Sequence, residues 1–252
     1  MTQPSTIKQS FAWWCVSQAV QDAPAFLRSA RQIGFQGVEL LPRELWGAAR
    51  DAGLVIASEA AGSLTDGLNR RANHPVIEDE VGQKLALAHQ YGILNLIVFS
   101  GNRDGLDDET GLEATVEGLR RLAPAAEAAG VNLVIELLNS KVDHPDYQCD
   151  HTAWAVRAVE QVASPRVKIL YDIYHMQIME GDIIRTIRAH ANYFGHVHTA
   201  GNPGRSDPDE TQELYYPAIL GALKESGYNG FVGHEFVPKG DPLKALEAAY
   251  HL

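Results

Sequence analysis

Four residues able to bind a metal ion or move a proton recur in the second half of the sequence, each at the end of an apolar run. They are Glu136 in "NLVIELL", Asp172 in "VKILYDI", His198 in "FGHVHTA" and Glu235 in "GFVGHEF". A buried, isolated charge is very costly, so each carboxylate must be solvated, paired or metal-bound. Three carboxylates and one imidazole suit one hard or borderline divalent ion, such as Mg, Mn or Co.

Eight short β-rich runs, which alternate with helical patterns, would position these residues. The predicted strands cover residues 7–15, 37–41, 54–59, 95–100, 132–138, 167–173, 194–200 and 230–236. Such alternation implies a parallel sheet with crossover helices. Eight units in 252 residues match an α/β fold of the (β/α)8 TIM barrel type, with residues 1–252 as a single domain. A doubly wound sheet is the alternative, but no GxGxxG motif follows the first run.

The helical stretches fit the same scheme. Apolar residues at helical spacing in "DEVGQKLALAHQYG" and "GLEATVEGLRRLAPAAEAAG" stop at Gly92 and Gly130, as is usual at helix ends. The second helix, within 42–53, must be brief. Because the chemistry of such barrels lies at the carboxyl ends of the strands, the four residues are expected to meet at one rim.

Composition excludes some classes of partner. Asp and Glu outnumber Lys and Arg by 32 to 21, for a net charge of -11, which disfavours a nucleic-acid backbone as the main partner. Cys15 and Cys149 suggest no disulfide framework. The start "MTQPSTIKQS" does not read as a signal peptide, and the apolar runs are too short for a membrane helix. A cytoplasmic protein without a membrane partner is expected.

Longer motifs around the four residues resemble a known family. The stretches "VIELLNSKVDHPDY", "ILYDIYHMQIMEGD", "GHVHTAGNPGR" and "GYNGFVGHEF" are similar to the hydroxypyruvate isomerase family. That family lies in the xylose-isomerase-like barrel superfamily, together with ketose 3-epimerases, inosose dehydratases and endonuclease IV. The resemblance covers nearly the whole chain. It implies a TIM barrel with one divalent metal on Glu136, Asp172, His198 and Glu235.

The resemblance also implies an activity. Glu136 and Glu235 would be the catalytic acid/base pair that interconverts hydroxypyruvate and tartronate semialdehyde, moving a proton between adjacent carbons through an enediolate. A ketose 3-epimerase, an isomerase of a larger oxo-acid sugar and a dehydratase remain alternatives. A nuclease like endonuclease IV is disfavoured, because the third and fourth strands end without His and the net charge is -11. A non-catalytic barrel is disfavoured by the four intact ligands, and a homo-oligomer is possible.

Four further residues are candidate substrate contacts. His175, three residues after Asp172, either binds a substrate oxygen or packs locally. Arg205 either pairs with a substrate carboxylate or phosphate, which its planar fork suits, or is a solvated loop residue. Lys168 either points into the barrel and binds an anion or extends outward, and His144 lies on a loop that could cover the site. The segment Gly204–Tyr215 lacks the Gly-rich turn of family members such as "HRGEPGTGEINY", which leaves the substrate open.

Other residues near the predicted rim have weaker assignments. Trp13 and Trp14 would alternate faces of the first strand, with one at the barrel mouth and the other under a helix, although core packing is favoured for both. Glu39 either faces the mouth or is structural. His196 shares a strand face with His198 and is expected one layer lower, as a hydrogen-bonded core residue.

Overall fold

The computed structural model describes residues 7–252, and eight parallel strands in sequence order close into a barrel. The strands are β1 Lys8–Ala12, β2 Gly37–Glu39, β3 Val55–Ala60, β4 Asn95–Val98, β5 Asn132–Glu136, β6 Val167–Asp172, β7 Phe194–Thr199 and β8 Phe231–His234. Each strand pairs with the next, and β8 pairs with β1 through Lys8 and Phe231 at one end and Phe11 and His234 at the other. The predicted (β/α)8 barrel is confirmed.

Helices link successive strands around the outside. They are α1 Trp13–Val16, α2 Ala23–Ile33, α3 Trp46–Asp51, α4 His74–Tyr91, α5 Asp108–Ala129, α6 Thr152–Val162, α7 Ile173–Met179, α8 Ile183–His190, α9 Tyr216–Glu225 and α10 Pro242–Tyr250. Short 3-10 turns cover Ser17–Ala19, Arg43–Leu45, Arg71–Asn73 and Ala191–Tyr193. As predicted, α4 and α5 end before Gly92 and Gly130, whose φ angles of 68° and 71° favour glycine, and α3 is brief.

The first predicted strand is too long. β1 ends at Ala12, and Trp13–Val16 forms one short helical turn at the barrel mouth. The two tryptophans therefore do not alternate along a strand. Trp13 is buried against Phe26, whereas Trp14 is 42% exposed. The apolar run continues past the point where strand pairing stops, so its composition does not reveal the change.

The barrel interior is layered along its axis. Ile97, Val134 and Leu170 form a small apolar cluster of their own, separate from the large core that includes the outer helices. Since alternate residues of a strand share a face, Glu136 and Asp172, each two residues further along, project above this layer. The fold therefore supports polar groups at the carboxyl-terminal rim on a packed apolar layer.

Within residues 7–252, no helix combines the length and the hydropathy that crossing a bilayer requires.

Candidate active site and metal centre

The four predicted ligands converge at the carboxyl-terminal rim. One side-chain atom from each of Glu136, Asp172, His198 and Glu235 lies within 4.8 Å of the others, and all four residues are buried. His198 Nδ1 is 2.8 Å from a Glu235 oxygen, 3.6 Å from Glu136 and 3.9 Å from Asp172. The residues thus meet as the sequence predicts, with geometry suited to one small cation.

Local structure fixes Asp172 in this arrangement. It ends β6 and is the N-cap of α7, where its Oδ1 accepts the backbone N–H of His175 at 3.1 Å. The other oxygen, Oδ2, faces His198 and Arg205. One carboxylate oxygen therefore holds the strand-to-helix turn while the other faces the site.

The hydrogen bonding of His198 tests whether the cluster suits a metal. His198 Nε2 lies 2.9 Å from Glu39 Oε2, and a carboxylate can only accept, so this nitrogen carries the proton. Nδ1 is buried and, among residues 7–252, has no hydrogen-bond partner. In the neutral ring its lone pair faces a Glu235 oxygen 2.8 Å away, so a proton or a metal ion is needed between the two acceptors.

Charge in the cluster leads to the same conclusion. Burial alone would lower the pKa of His198, but the Glu235 and Glu39 carboxylates hold that pKa well above its ordinary value. The carboxylates therefore favour a positive charge at Nδ1, which either a proton or a divalent ion could supply, and an imidazole must release that proton to bind a metal. The donor set of three carboxylates and one imidazole fits an ion of the Mg, Mn or Co type.

The two candidate acid/base residues have different surroundings. Burial raises the pKa of Glu136, and the charges of Glu235 and Asp172 raise it further against the opposing effect of His198. Burial would also raise the pKa of Glu235, but Arg205 and His198 hold that pKa far below its usual range. Within residues 7–252, only His198, at 3.6 Å, lies within ion-pair distance of the Glu136 carboxylate.

Arg205 lies at the mouth of the site. Its Nη2 is 2.6 Å from Glu235 Oε2 and 3.4 Å from Asp172 Oδ2. The backbone is fixed by a left-handed φ of 51° and by the N–H of Val237, which donates to the Arg205 carbonyl at 2.9 Å. Arg205 is therefore held in the site by its side-chain and backbone contacts and is not a solvated loop residue.

Two aromatic rings pack against the Arg205 guanidinium. Its central carbon is 5.6 Å from the Trp14 ring centroid and 5.3 Å from that of Tyr174, within cation–π range. The Trp14 indole N–H also donates to Glu235 Oε1 at 2.7 Å. The Tyr174 hydroxyl donates to Asp143 Oδ2 at 2.8 Å. These contacts restrict the Arg205 side chain to one orientation over the cluster of Glu136, Asp172, His198 and Glu235.

His175 is fully buried, and its neighbours define its tautomer. The backbone N–H of Asn139 donates to His175 Nδ1 at 3.2 Å, and the Asn139 amide, oriented by its own bond to Asp143, donates to the same side. Burial and the nearby Arg205 charge lower the pKa of His175 well below its usual value. The neutral ring therefore carries its proton on Nε2, 3.6 Å from Asp172 Oδ2.

The His175 Nε2–H and the Arg205 guanidinium are thus adjacent donors, 3.0 Å apart. Two donors cannot satisfy each other, so the pair is suited to a shared acceptor oxygen. The sequence predicted both residues as substrate contacts, and the structure brings both to the four-ligand cluster.

Comparison with known proteins assigns the family. A family model described as xylose isomerase-like TIM barrel matches residues 27–251. The chain belongs to that family. It is 31% identical over 234 residues to the hydroxypyruvate isomerase of Escherichia coli (strain K12), covering 86% of this chain and 89% of that one. It is 29% identical over 226 residues to the 2-oxo-tetronate isomerase of Pectobacterium atrosepticum, with 84% and 86% covered.

A solved structure gives the same result for the xylose isomerase-like fold. The crystal structure of an AP endonuclease, family 2, from Brucella melitensis superimposes with a TM-score of 0.86 at 29% identity, covering 95% of this chain and 97% of that chain. The predicted family, the hydroxypyruvate isomerase family of the xylose isomerase-like barrels, is confirmed by these similarities.

The other two predicted contacts of this xylose isomerase-like barrel have different positions. His144 is half-buried on the loop after β5, with its ring 5.3 Å from that of His175, so it lies beside the site as predicted. Lys168 does not. It is the second residue of β6, and its ammonium donates to the Asn192 carbonyl at 3.1 Å in a hollow at the amino-terminal rim, which Arg166 also lines.

The structure therefore does not bring Lys168 to the four-ligand cluster, and nothing in this position supports a contact with a substrate bound there. Asp172 lies four residues further along the same strand, roughly 13 Å away at the usual rise of a strand. Lys168 does point toward the barrel axis, where Gly195 leaves room for its stem. The inward direction was foreseeable from the alternation with Asp172, but the side chain belongs to the opposite rim of the barrel.

Two residues of the site were underestimated. For Trp14, core packing was favoured, but its indole contacts both Glu235 and Arg205. For Glu39, the structure shows a fully buried carboxylate beneath His198. A signal for Glu39 existed, since it ends a predicted strand as Glu136 does. No sequence signal indicated the helical turn that brings Trp14 over the mouth.

Proposed function

We propose that the protein is a divalent-metal-dependent isomerase of a small hydroxy-oxo acid, interconverting hydroxypyruvate and tartronate semialdehyde. The observation that carries the proposal is the pair of donors from Arg205 and His175 directly beside the four-ligand cluster. A 2-oxo acid offers a carboxylate and a carbonyl to such a site. The relatives named hydroxypyruvate isomerase and 2-oxo-tetronate isomerase support this substrate class.

The reaction moves one proton between neighbouring carbons. Removal of a proton from C3 of hydroxypyruvate gives an enediolate; transfer of the C3 hydroxyl proton to the C2 oxygen and delivery of a proton to C2 then give tartronate semialdehyde. A divalent ion held by Glu136, Asp172, His198 and Glu235 would supply electrostatic stabilisation of the charge that develops on the substrate oxygens. The side chains must remove the proton, return it and hold the substrate.

Glu136 is the better candidate for the base that removes the proton. Its carboxylate has only His198 within ion-pair distance in the described part of the chain, so a lone pair stays available. Glu235 instead accepts from Trp14 through one oxygen and from Arg205 through the other. We therefore assign proton removal to Glu136, and the return of the proton to a member of the Glu136–Glu235 pair.

Arg205 and His175 are proposed to bind the substrate. The Arg205 guanidinium offers a planar fork that matches a substrate carboxylate. Because this guanidinium is largely buried, its pairing with the carboxylate would be stronger than at the surface. The His175 Nε2–H would donate to an oxygen of the same substrate. His144, packed on His175, would complete the wall on the side of the loop after β5.

Two alternatives within the isomerases use the same groups. A larger oxo-acid sugar such as 2-oxo-tetronate would need the same acid/base pair with a longer pocket, and a ketose 3-epimerase would need no carboxylate partner. The Arg205 donors favour an acid over a neutral ketose. The segment Gly204–Tyr215, which carries Arg205 and differs from the family pattern, is where the pocket length would be set.

A nuclease is the alternative from another class, because of the name of the Brucella melitensis structure. β4 ends at Val98 without a metal-type ligand, and Glu59, next to the last residue of β3, lies near Lys84 and outside the groupings of possible ligands. Within residues 7–252, the groupings of possible ligands are the four-residue cluster and the trio of Glu39, His196 and His198. The net charge of -11 also opposes binding of a DNA backbone.

The deciding experiment is turnover by metal-stripped protein. Hydroxypyruvate, 2-oxo-tetronate, a panel of neutral ketoses and abasic-site DNA would each be assayed with and without added Mg²⁺ or Mn²⁺, with Glu136→Gln as the control. Metal-restored turnover of hydroxypyruvate that is lost in the variant supports the proposal. Turnover of 2-oxo-tetronate or a ketose alone would replace the substrate, DNA cleavage would replace the reaction class, and no metal effect would reject the mechanism.

A further inference from the structure

Glu39 is a fully buried carboxylate below the active-site rim. It is the last residue of β2 and is 0% exposed. Four donors surround its two oxygens: the Ser10 hydroxyl on Oε1, and the Ser58 hydroxyl with the His196 and His198 rings on Oε2. A buried carboxylate is tolerated when its oxygens are satisfied in this way.

The barrel is shaped to admit this carboxylate. The pairing register of β2 with β3 shifts between Val38 and Glu39, and Gly233 of β8 lies against Glu39 Oε1. A Cβ at position 233 would overlap that oxygen, so a residue with a side chain could not stand there without moving Glu39. Three strands besides β2 thus supply donors to this one charge, and β8 leaves room for it, which a purely apolar core would not need.

We infer that Glu39 is a positioning residue for the metal centre: by accepting the His198 Nε2–H, it holds the ring in the tautomer that presents the Nδ1 lone pair to the metal. This inference rests on the proposed metal dependence. An imidazole ligand needs its second nitrogen fixed by an acceptor, and a carboxylate in that place also increases the basicity of the ligand nitrogen. Glu39 would therefore set metal affinity without contacting the metal.

A second metal between Glu39, His196 and His198 is the competing assignment, since their ligand atoms also lie within 4.8 Å of one another. The distances oppose it. His196 Nε2 and His198 Nε2 lie 2.8 Å and 2.9 Å from the same Glu39 oxygen, which is ordinary hydrogen-bond geometry. The Ser58 hydroxyl donates to that oxygen as well, so it is already satisfied by three donors.

The test compares Glu39→Gln with Glu59→Gln as a matched control. Glu59 is also a buried carboxylate, on the next strand, but it lies near Lys84 and away from His198. Mn²⁺ would be titrated into each metal-stripped protein by calorimetry, and the stoichiometry recorded. Glu39→Gln should weaken Mn²⁺ binding by roughly 10- to 100-fold, whereas Glu59→Gln should bind as the wild type does, at one ion per chain.

A second readout separates positioning from simple structural support. In ¹⁵N-histidine-labelled protein saturated with Mg²⁺, NMR of the wild type should place the His198 proton on Nε2. Glu39→Gln at the same Mg²⁺ concentration should no longer show that single tautomer, while a merely structural role would lower the unfolding temperature and leave both affinity and tautomer unchanged.

The possible results separate the inference from the proposed function. Wild-type protein that binds no Mn²⁺ would reject the metal centre and the role of Glu39 together. Wild-type binding that is equally tight in Glu39→Gln would reject the positioning role alone. Two ions in the wild type and one in Glu39→Gln would make Glu39 a direct ligand, which also overturns the inference.

Discussion

The two halves of the barrel differ in how they treat their polar groups. β5 to β8 bring Glu136, Asp172, His198 and Glu235 to one point at the rim. β1 to β3 also carry inward polar residues, Ser10, Glu39 and Ser58, but these are hydrogen-bonded to one another. The second half therefore presents reactive groups, and the first half holds one of them, His198, from below.

The two halves also differ in whether their buried polar groups have hydrogen-bond partners. In the first half every oxygen of Glu39 has a donor. In the second half the Nδ1 of His198 has no hydrogen-bond partner among residues 7–252, and in the same residues the Glu136 carboxylate has only His198 within ion-pair distance. An unsatisfied buried group costs free energy, so the unpartnered His198 Nδ1 beside the Glu136 carboxylate is where a bound ligand would recover the most.

The largest effect is expected from Glu136→Gln, which removes the proposed base while keeping the size of the side chain. Loss of a positioned general base commonly lowers turnover by roughly 10²- to 10⁴-fold. We expect kcat for hydroxypyruvate to fall in that range. Metal content, measured in parallel, is the control, because Glu136 is also a proposed ligand. A decrease of kcat below tenfold in metal-loaded variant would move the base to another residue.

A smaller loss is expected from Arg205→Lys, which keeps the charge and removes the planar fork. Hydrogen bonds to a charged group contribute about 1.5–3 kcal/mol, so KM for hydroxypyruvate should rise roughly 10- to 100-fold. Lys168→Met is the matched control, since it removes a cation from the opposite rim, and its KM should equal that of the wild type. The reverse result, with KM raised only by Lys168→Met, would restore the original substrate-binding prediction for Lys168.

Much of this second-half site could be predicted because barrel geometry converts strand position into rim position. Glu136 and Asp172 end their strands, and His198 and Glu235 lie at or just beyond the ends of theirs, so knowing the fold is enough to bring them together. The same geometry explains why Lys168 lies away from the cluster. Strand alternation gave its direction, but the height along the barrel axis, not the direction, decides whether a side chain reaches the site.

The contribution of the first half of the barrel was harder to predict, because its contacts with the site join distant parts of the chain. Trp14 and Glu235 are separated by 221 positions, and Glu39 and His198 by 159. Neither pair leaves a local pattern, since each depends on the closure of β8 on β1 or on the packing across the barrel axis. The helical turn of α1, which places the Trp14 indole over the mouth, begins where composition still favours a strand.

Trp14→Phe tests whether the first half also orients a catalytic carboxylate at the mouth. The substitution keeps an aromatic ring beside Arg205 and removes the indole N–H that donates to Glu235. A net loss of about 1 kcal/mol per hydrogen bond predicts a decrease in kcat/KM of roughly fivefold. The unfolding temperature should change little, because Trp14 is 42% exposed. A kcat/KM equal to the wild-type value would mean that Arg205 and His198 orient Glu235 without help from Trp14.

The smallest effect is expected in the outward face of the first half, at Glu59. Burial raises the pKa of its carboxyl group, against the opposing charge of Lys84, whose ammonium is 3.9 Å away. A raised folded-state pKa means that the protonated form is favoured on folding, so this group stabilises the protein below its unfolded pKa and loses that contribution as pH rises through the folded value. Glu59→Gln should therefore stabilise the protein at neutral pH, by roughly 0.5–1 kcal/mol.

The pH dependence of the stability of Glu59→Gln shows which contribution is larger at Glu59: the cost of burying its charge or the benefit of pairing with Lys84. Denaturant unfolding of wild type and Glu59→Gln at several pH values from 4 to 8 should give curves that meet at the acidic end and separate toward pH 8, with the variant more stable. If the Lys84 pairing outweighs burial, the order reverses and the wild type is the more stable protein at pH 8. Turnover should be the same in both proteins, since Glu59 faces away from His198, and a change in turnover would show that the outward face of the first half also supports the site.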